Sequence, residues 1–153
     1  SDTGKQAVTP AVETLLEQER AAGLLLPAFY ADFQAQPIRI ARELLSFLIE
    51  QSREGGRVAA YGAAAKGNTL LNFAGVRPHL LPYVVDKNPA KQNRFMPGSR
   101  IPIVDEAHLR AHRPSHVLIL PWNLKEEVMS QLAYIREWGG KFVTAVPALE
   151  ILP

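Results

Sequence analysis

The chain has 153 residues, of which 47% are hydrophobic and 21% are charged, and its formal net charge at pH 7 is +2. This composition is typical of a folded globular protein and argues against intrinsic disorder. No apolar run approaches the roughly 18 residues that a membrane-spanning helix needs, so we expect no contact with a membrane. Because cysteine is absent, disulfides and thiolate zinc sites are excluded within the chain, and we expect a cytoplasmic protein.

Residues 1–55 read as a helical lead, which we interpret as a linker from an upstream domain. The pair Thr9-Pro10 predicts the start of a helix that ends at Gly23. A second helical stretch breaks at Pro37, because proline lacks the N–H that a helix interior needs. The apolar positions of residues 38–53 fall on one face of a third helix.

From residue 56 onward, short apolar runs alternate with helical patterns. The predicted strands cover residues 58–61, 81–85, 101–104, 116–120 and 142–146. This alternation predicts an α/β fold for residues 56–153, a Rossmann-like, doubly wound and mostly parallel sheet of five strands. Pro102 cannot donate to a ladder, so its strand is predicted at an edge of the sheet.

Two residues predict the starts of later helices. Asp105 has a side chain suited to capping a short helix that runs to about His112. Asn123, with Glu126 three positions on, is close to a capping box for the last helix. The pair His108 and His112 has a spacing that can bind a metal, but no third ligand is evident, so we expect no metal site.

A strand order of 3-2-1-4-5 would place a ligand beyond the carboxyl ends of strands one and four. The loops at residues 62–69 and 121–123 would then face it, and each opens a helix whose free N–H groups favour anions. Residues 57–113 hold nine basic and three acidic side chains, which suggests an anionic ligand. The basic residues form no dense stripe, so we do not expect nucleic acid as a partner.

The first of these loops also approximates the dinucleotide fingerprint G-x-G-x-x-G. Ala64 replaces the middle glycine, and Asp86 lies 24 positions after Gly62, as an acidic residue for a ribose would. The methyl group of Ala64 stands where a pyrophosphate must approach the backbone, which counts against ordinary NAD binding. A stand-alone module for NAD or coenzyme A stays open as an alternative. A structural docking domain, whose loops only pack against a catalytic neighbour, is another.

Several short motifs resemble the C-terminal domain of nucleotide-sugar C-methyltransferases of the dTDP-deoxysugar type. The first is YGAAAKGNTLLN at residues 61–72. The motifs that follow in matching order and spacing are VVDKNPAKQ (84–92), MPG (96–98), IPI (101–103), LPWN (120–123) and GGKFV (139–143). The resemblance covers roughly residues 10–150.

The resemblance implies an enzyme of three parts, in which this chain is the last. A zinc-binding module and a domain that binds S-adenosylmethionine precede it. The family methylates a carbon beside the keto group of a nucleotide-linked deoxysugar, after a general base has removed the proton from that carbon. Zinc, S-adenosylmethionine and the base belong to the other domains. We therefore expect this chain to hold no cofactor and no catalytic residue, to be inactive alone, and to bind the nucleotide sugar beside the upstream S-adenosylmethionine domain.

The candidate substrate-binding residues follow from the loops and from the resemblance together. Lysines can neutralise a pyrophosphate, asparagine and aspartate can hydrogen-bond sugar oxygens, and an indole can stack on a sugar or base or simply pack. The predicted set is Gly62, Ala64, Lys66, Gly67, Asn68, Thr69, Asn72, Asp86, Asn88, Lys91, Gln92, Trp122 and Asn123.

Overall fold

The computed structural model describes residues 9–153, and the chain divides into two units between residues 37 and 38. The first unit contains helix α1 (Pro10–Ala21) and a single 3-10 turn (Pro27–Tyr30). Thr9 occupies the N-cap position of α1, as predicted, but its hydroxyl makes no capping hydrogen bond. Gly23, the predicted stop, follows the helix with φ +83°. In the described range, no helix is both long and apolar enough to cross a membrane.

Helix α2 (Ala35–Arg53) begins at the end of the first unit and continues into the second. The break predicted at Pro37 is wrong. Pro37 is the third residue of α2, and in the first turn of a helix the N–H that proline lacks has no intrahelical partner to lose.

The second unit is built on a mixed sheet of seven strands. These are β1 (Val58–Tyr61), β2 (Val84–Val85), β3 (Arg94–Phe95), β4 (Pro102–Val104), β5 (His116–Ile119), β6 (Lys141–Thr144) and β7 (Glu150–Leu152). Their order is β3-β4-β2-β1-β5-β6-β7. The five inner strands are parallel and have the order 3-2-1-4-5 of the predicted strands. The prediction of only five strands is wrong, because β3 and β7 add antiparallel pairs at the two edges.

The strand that contains Pro102 is therefore not an outer strand. Two backbone N–H groups of the β3 segment, those of Met96 and Asn93, donate to the carbonyls of Ile101 and Ile103 at 2.8 and 2.9 Å. Pro102 is tolerated because it is the first residue of β4, a position where proline is found in sheets.

Helices cover both faces of the sheet. On one face, α2 and α3 (Ala65–Phe73) bury leucines such as Leu44 and Leu71. On the other, α4 (Glu106–His112), α5 (Lys125–Gln131) and a 3-10 segment (Ala133–Trp138) bury residues such as Val128. All four residues of β1 are buried, as expected for a parallel strand covered on both sides. The predicted doubly wound α/β arrangement is present in these parallel strands.

One of the two predicted helix caps is present. Asp105 accepts a hydrogen bond from the backbone N–H of His108 at 3.0 Å and caps α4. The capping box at Asn123 is wrong, because Trp122–Leu124 forms a 3-10 turn and α5 begins at Lys125 without a side-chain cap. The carboxamide oxygen of Asn123 faces a lysine instead.

His116, at the start of β5, is expected to make the fold weaker in acid. Burial, and after it the charge of Lys141, hold the pKa of His116 below its ordinary 6.5, against the opposite effect of Glu54. Below pH 6.5 the unfolded chain therefore binds more protons than the folded chain, and the free energy of unfolding falls as pH drops through this window. The melting temperature should fall more between about pH 7.5 and pH 5.5 in the wild type than in His116→Gln. Equal losses in the two proteins contradict this.

Candidate functional site

The site lies where the strand order reverses, at the carboxyl ends of the neighbouring strands β1 and β5. After β1 the chain enters α3, whose Leu71 packs on one face of the sheet. After β5 it leads to α5, whose Val128 packs on the opposite face. The chain therefore leaves the two strands toward opposite faces of the sheet, and ligands of doubly wound sheets bind at such a point. We call the region between residues 62–69 and 121–123 the crevice.

Two predicted site residues, Gly62 and Gly67, form the contact between these loops. Gly62 has φ +91°, and a Cβ added to it would lie 2.6 Å from Cδ of Pro121. A Cβ on the buried Gly67 would lie 2.5 Å from Cβ of Leu120. Both glycines therefore allow the segment that begins α3 to pack against the end of β5. This is a packing role, which does not depend on a ligand.

Lys66, Trp122 and Asn123 come together at the mouth of the crevice. The ammonium of Lys66 lies 3.3 Å from Oδ1 of Asn123 and 5.7 Å from the centroid of the Trp122 ring. Lys66 and Asn123 are exposed, and Trp122 is half-buried. A cation from the start of α3, and an amide and an indole face from the 3-10 turn after β5, are thus presented to the same space.

The first turn of α3 points toward this group. Its first residue is Ala65, and the N–H of Asn68 is the first to bond back within the helix, to the carbonyl of Ala64 at 3.0 Å. The N–H groups of the first turn are thus free for other acceptors, since no side chain within residues 9–153 caps this helix. Ala64, which is also in the predicted set, stabilises the loop itself, because its backbone N–H donates to the carbonyl of Gly62.

The side chains of Thr69 and Asn68 also belong to α3. The hydroxyl of Thr69 donates to the carbonyl of Ala65 at 3.1 Å and so faces its own helix. Oδ1 of Asn68 is buried and has no hydrogen-bond partner among the residues that the structure describes. Neither side chain contacts Lys66 or Trp122 through a hydrogen bond in that range.

Asp86 and Lys91 form a second group, beside the crevice. Oδ2 of Asp86 accepts from the backbone N–H of Ala63 at 2.8 Å and from the ammonium of Lys91 at 3.1 Å. The same ammonium donates to the carbonyl of Ala63 at 2.9 Å. Asn88 donates its N–H to Oδ1 of Asp86 at 2.8 Å, and Gln92 donates its side-chain amide to the Asp86 carbonyl at 2.9 Å.

Asn72 links α3 to the loop after β3. Its side-chain amide donates to the carbonyls of Asn68 and Pro97, both at 2.9 Å. Gly98, with φ +77°, leaves room for this side chain, since a Cβ there would overlap its Oδ1. Asn72 is thus placed as a link between two segments and not with Lys66 at the mouth of the crevice.

The backbone groups to which these side chains bind were not identified from the sequence. Ala63 takes part through both its N–H and its carbonyl, and nothing in an alanine signals such a role. Pro97-Gly98 was recognisable as a turn, but its partner Asn72 lies 25 positions earlier in the chain. Contacts of this kind depend on the tertiary fold and leave no local pattern.

The two histidines of this pair pack against each other and against Tyr83. The rings of His108 and His112 stack with centroids 3.9 Å apart, and His108 meets the ring of Tyr83 edge-on at 4.6 Å. Burial and then the neighbouring His112 lower the pKa of His108. Over residues 9–153, no group of three or more histidine, aspartate or glutamate side chains is arranged to hold a metal ion.

Comparison with known proteins identifies the domain. Residues 1–147 match the family described as the C-methyltransferase C-terminal domain. The chain belongs to this family. Over 145 residues it is 30% identical to the C-methyltransferase NovU of Streptomyces niveus, a match that covers 95% of the chain and 34% of NovU. The C-methyltransferase C-terminal domain described here thus spans about a third of that relative's length, and the resemblance drawn from the motifs is confirmed.

In this C-methyltransferase C-terminal domain, Asp86 is the residue that corresponds to the acidic position of the dinucleotide fingerprint. In the dinucleotide fingerprint, the acidic residue after the second strand accepts the ribose hydroxyls. Here that residue is Asp86, whose two oxygens already accept from Ala63, Lys91 and Asn88. A ribose at this carboxylate would compete with these three donors.

Proposed function

We propose that this chain binds the nucleotide sugar for a C-methyltransferase that uses S-adenosylmethionine, and that another part of the protein binds S-adenosylmethionine. The grouping of Lys66, Trp122 and Asn123 at the diverging loops carries the proposal. A nucleotide sugar offers a pyrophosphate for a lysine and for helix N–H groups, and rings for an indole face. The name of NovU, a C-methyltransferase, supports the reaction class.

In this proposal, the domain binds and orients a keto-deoxysugar attached to a nucleoside diphosphate. S-adenosylmethionine supplies the methyl group, and the base that removes the sugar proton belongs to another domain. Lys66 and the first turn of α3 hold the pyrophosphate, and Asn123 and Trp122 contact the sugar or base. Zinc is likewise assigned to a separate module, and the whole protein acts in the cytoplasm.

A titration of the 153-residue chain tests this division of roles. We expect thymidine diphosphate to bind, because it carries the pyrophosphate and the nucleoside of the proposed substrate class. We expect S-adenosylmethionine to bind negligibly, because Asp86 is already occupied by three donors. Isothermal titration calorimetry with both compounds measures this directly.

Titrations with NAD and coenzyme A, added to these two, separate the alternatives. Micromolar binding of S-adenosylmethionine, NAD or coenzyme A assigns the crevice to a cofactor and contradicts the proposal. A folded chain that binds none of these and no thymidine diphosphate is a docking domain. One observation favours that second function: several large apolar side chains in residues 9–37 are exposed, namely Val12, Leu15, Leu16, Leu25, Leu26, Phe29, Tyr30 and Phe33.

A further inference from the structure

Asp86 and Lys91 hold the backbone of the loop between β1 and α3 from both sides. The carboxylate accepts the N–H of Ala63, and the ammonium donates to the carbonyl of the same residue. The two side chains also bond each other at 3.1 Å, and the carboxylate side chain is only 12% exposed. The ion pair of Asp86 and Lys91 therefore fixes both the backbone N–H and the backbone carbonyl of Ala63.

These bonds leave the pair little capacity for a ligand. The oxygens of Asp86 accept from three donors, and Asn88 supplies the third through its N–H. The ammonium of Lys91 has three protons, of which two are directed to Ala63 and Asp86. Beyond the third ammonium proton and one lone pair of the carboxylate, a direct contact with a sugar or a phosphate would have to displace one of these bonds.

We propose that Asp86 and Lys91 are positioning residues, which act on the bound nucleotide sugar through Ala63 and do not touch it. The inference rests on the proposed function of the crevice. Ala63 precedes Lys66 and the first turn of α3 by only two or three residues, so fixing it fixes the phosphate-facing donors before the ligand arrives. A loop ordered in advance loses less conformational entropy on binding, and affinity rises accordingly.

The test compares Lys91→Met with Lys87→Met in the full-length protein. Lys87 lies in the same loop, is exposed, and makes no side-chain hydrogen bond among residues 9–153. Each variant therefore removes one positive charge, but only Lys91→Met also removes the hydrogen bonds to Ala63 and Asp86. Thymidine diphosphate is titrated by calorimetry over a range of salt concentrations. We expect Lys91→Met to bind on the order of tenfold more weakly, with the salt dependence of the wild type, and Lys87→Met to keep the wild-type affinity.

Asp86→Asn gives a second measurement if Lys91→Met does not fold. It keeps the size of the side chain and should also weaken binding. Where Lys91→Met folds, the double variant should lose less than the two single losses combined, because both act through Ala63. Hydrogen exchange at residues 63–67 should be faster in each variant.

Several results overturn the inference. Wild-type affinity in both Lys91→Met and Asp86→Asn does so while the proposed function stands. A flatter salt dependence in Lys91→Met makes Lys91 a direct phosphate contact. A wild-type protein that binds no thymidine diphosphate overturns both the proposed function and this inference.

Discussion

Replacing Lys66 with alanine should weaken the binding of thymidine diphosphate about ten- to a hundredfold, the equivalent of one charged hydrogen bond of about 1.5–3 kcal/mol. Lys66 is exposed and makes a single side-chain hydrogen bond, at 3.3 Å to Asn123, within the described residues. Its loss should therefore leave the melting temperature almost unchanged. The salt dependence of binding should also become flatter, because one charged contact fewer is screened.

Lys141→Ala is the matched control for this experiment. Lys141 is also an exposed lysine, but it starts β6 and so lies at the opposite, amino edge of the parallel strands. It changes the net charge by the same amount without changing the crevice. Binding should stay at the wild-type level. If Lys66→Ala binds normally and melts early, Lys66 has a structural role and the proposed phosphate contact is wrong.

Gly62→Ala should produce the largest loss of stability among the substitutions considered. At φ +91° a side chain costs about 1–2 kcal/mol. The new methyl group would also lie 2.6 Å from Cδ of Pro121, whose ring cannot rotate away, and overpacking adds about 1–3 kcal/mol. We expect the free energy of unfolding, measured by urea denaturation, to fall by about 3 kcal/mol in total.

Gly75→Ala separates the two causes. Gly75 has a similar φ of +72°, but an added Cβ would meet no atom within 4 Å. This variant should therefore lose only the conformational part, about 1–2 kcal/mol. Equal losses in the two variants would show that the clash of the new methyl group with Pro121 adds nothing to the loss of stability.

The parallel core of the sheet could be predicted because its signals are local. Buried strand segments such as residues 117–120 are continuous apolar runs, and Asp105 caps α4 with an N-cap side chain that sequence patterns recognise. Strands β3 and β7 could not be predicted, because their residues are mostly exposed, whereas the equally short β2 and β4 belong to predicted apolar runs. β3, with both residues exposed, pairs only because β4 offers it an edge.

The site was predictable as a set of loops and not as a set of contacts. The loop positions follow from the strand order, and Lys66, Trp122 and Asn123 do meet there. The pairing of Asp86 with Lys91 has no comparable signal. Both residues have the chemistry of ligand contacts, and only the tertiary structure reveals that Ala63 already occupies them.

The two antiparallel edge strands also determine how this domain can assemble with other chains. A parallel sheet that ended at β4 and β6 would expose the unpaired backbone groups of these strands, to which a second copy could add its own strand. Short outer strands cover both edges, and the pair at β3 is only two residues long. Association by extending the sheet is thereby disfavoured. Under the proposed function, other domains would meet this one through its helices and loops, and the carboxyl edge of the sheet would stay available for the substrate.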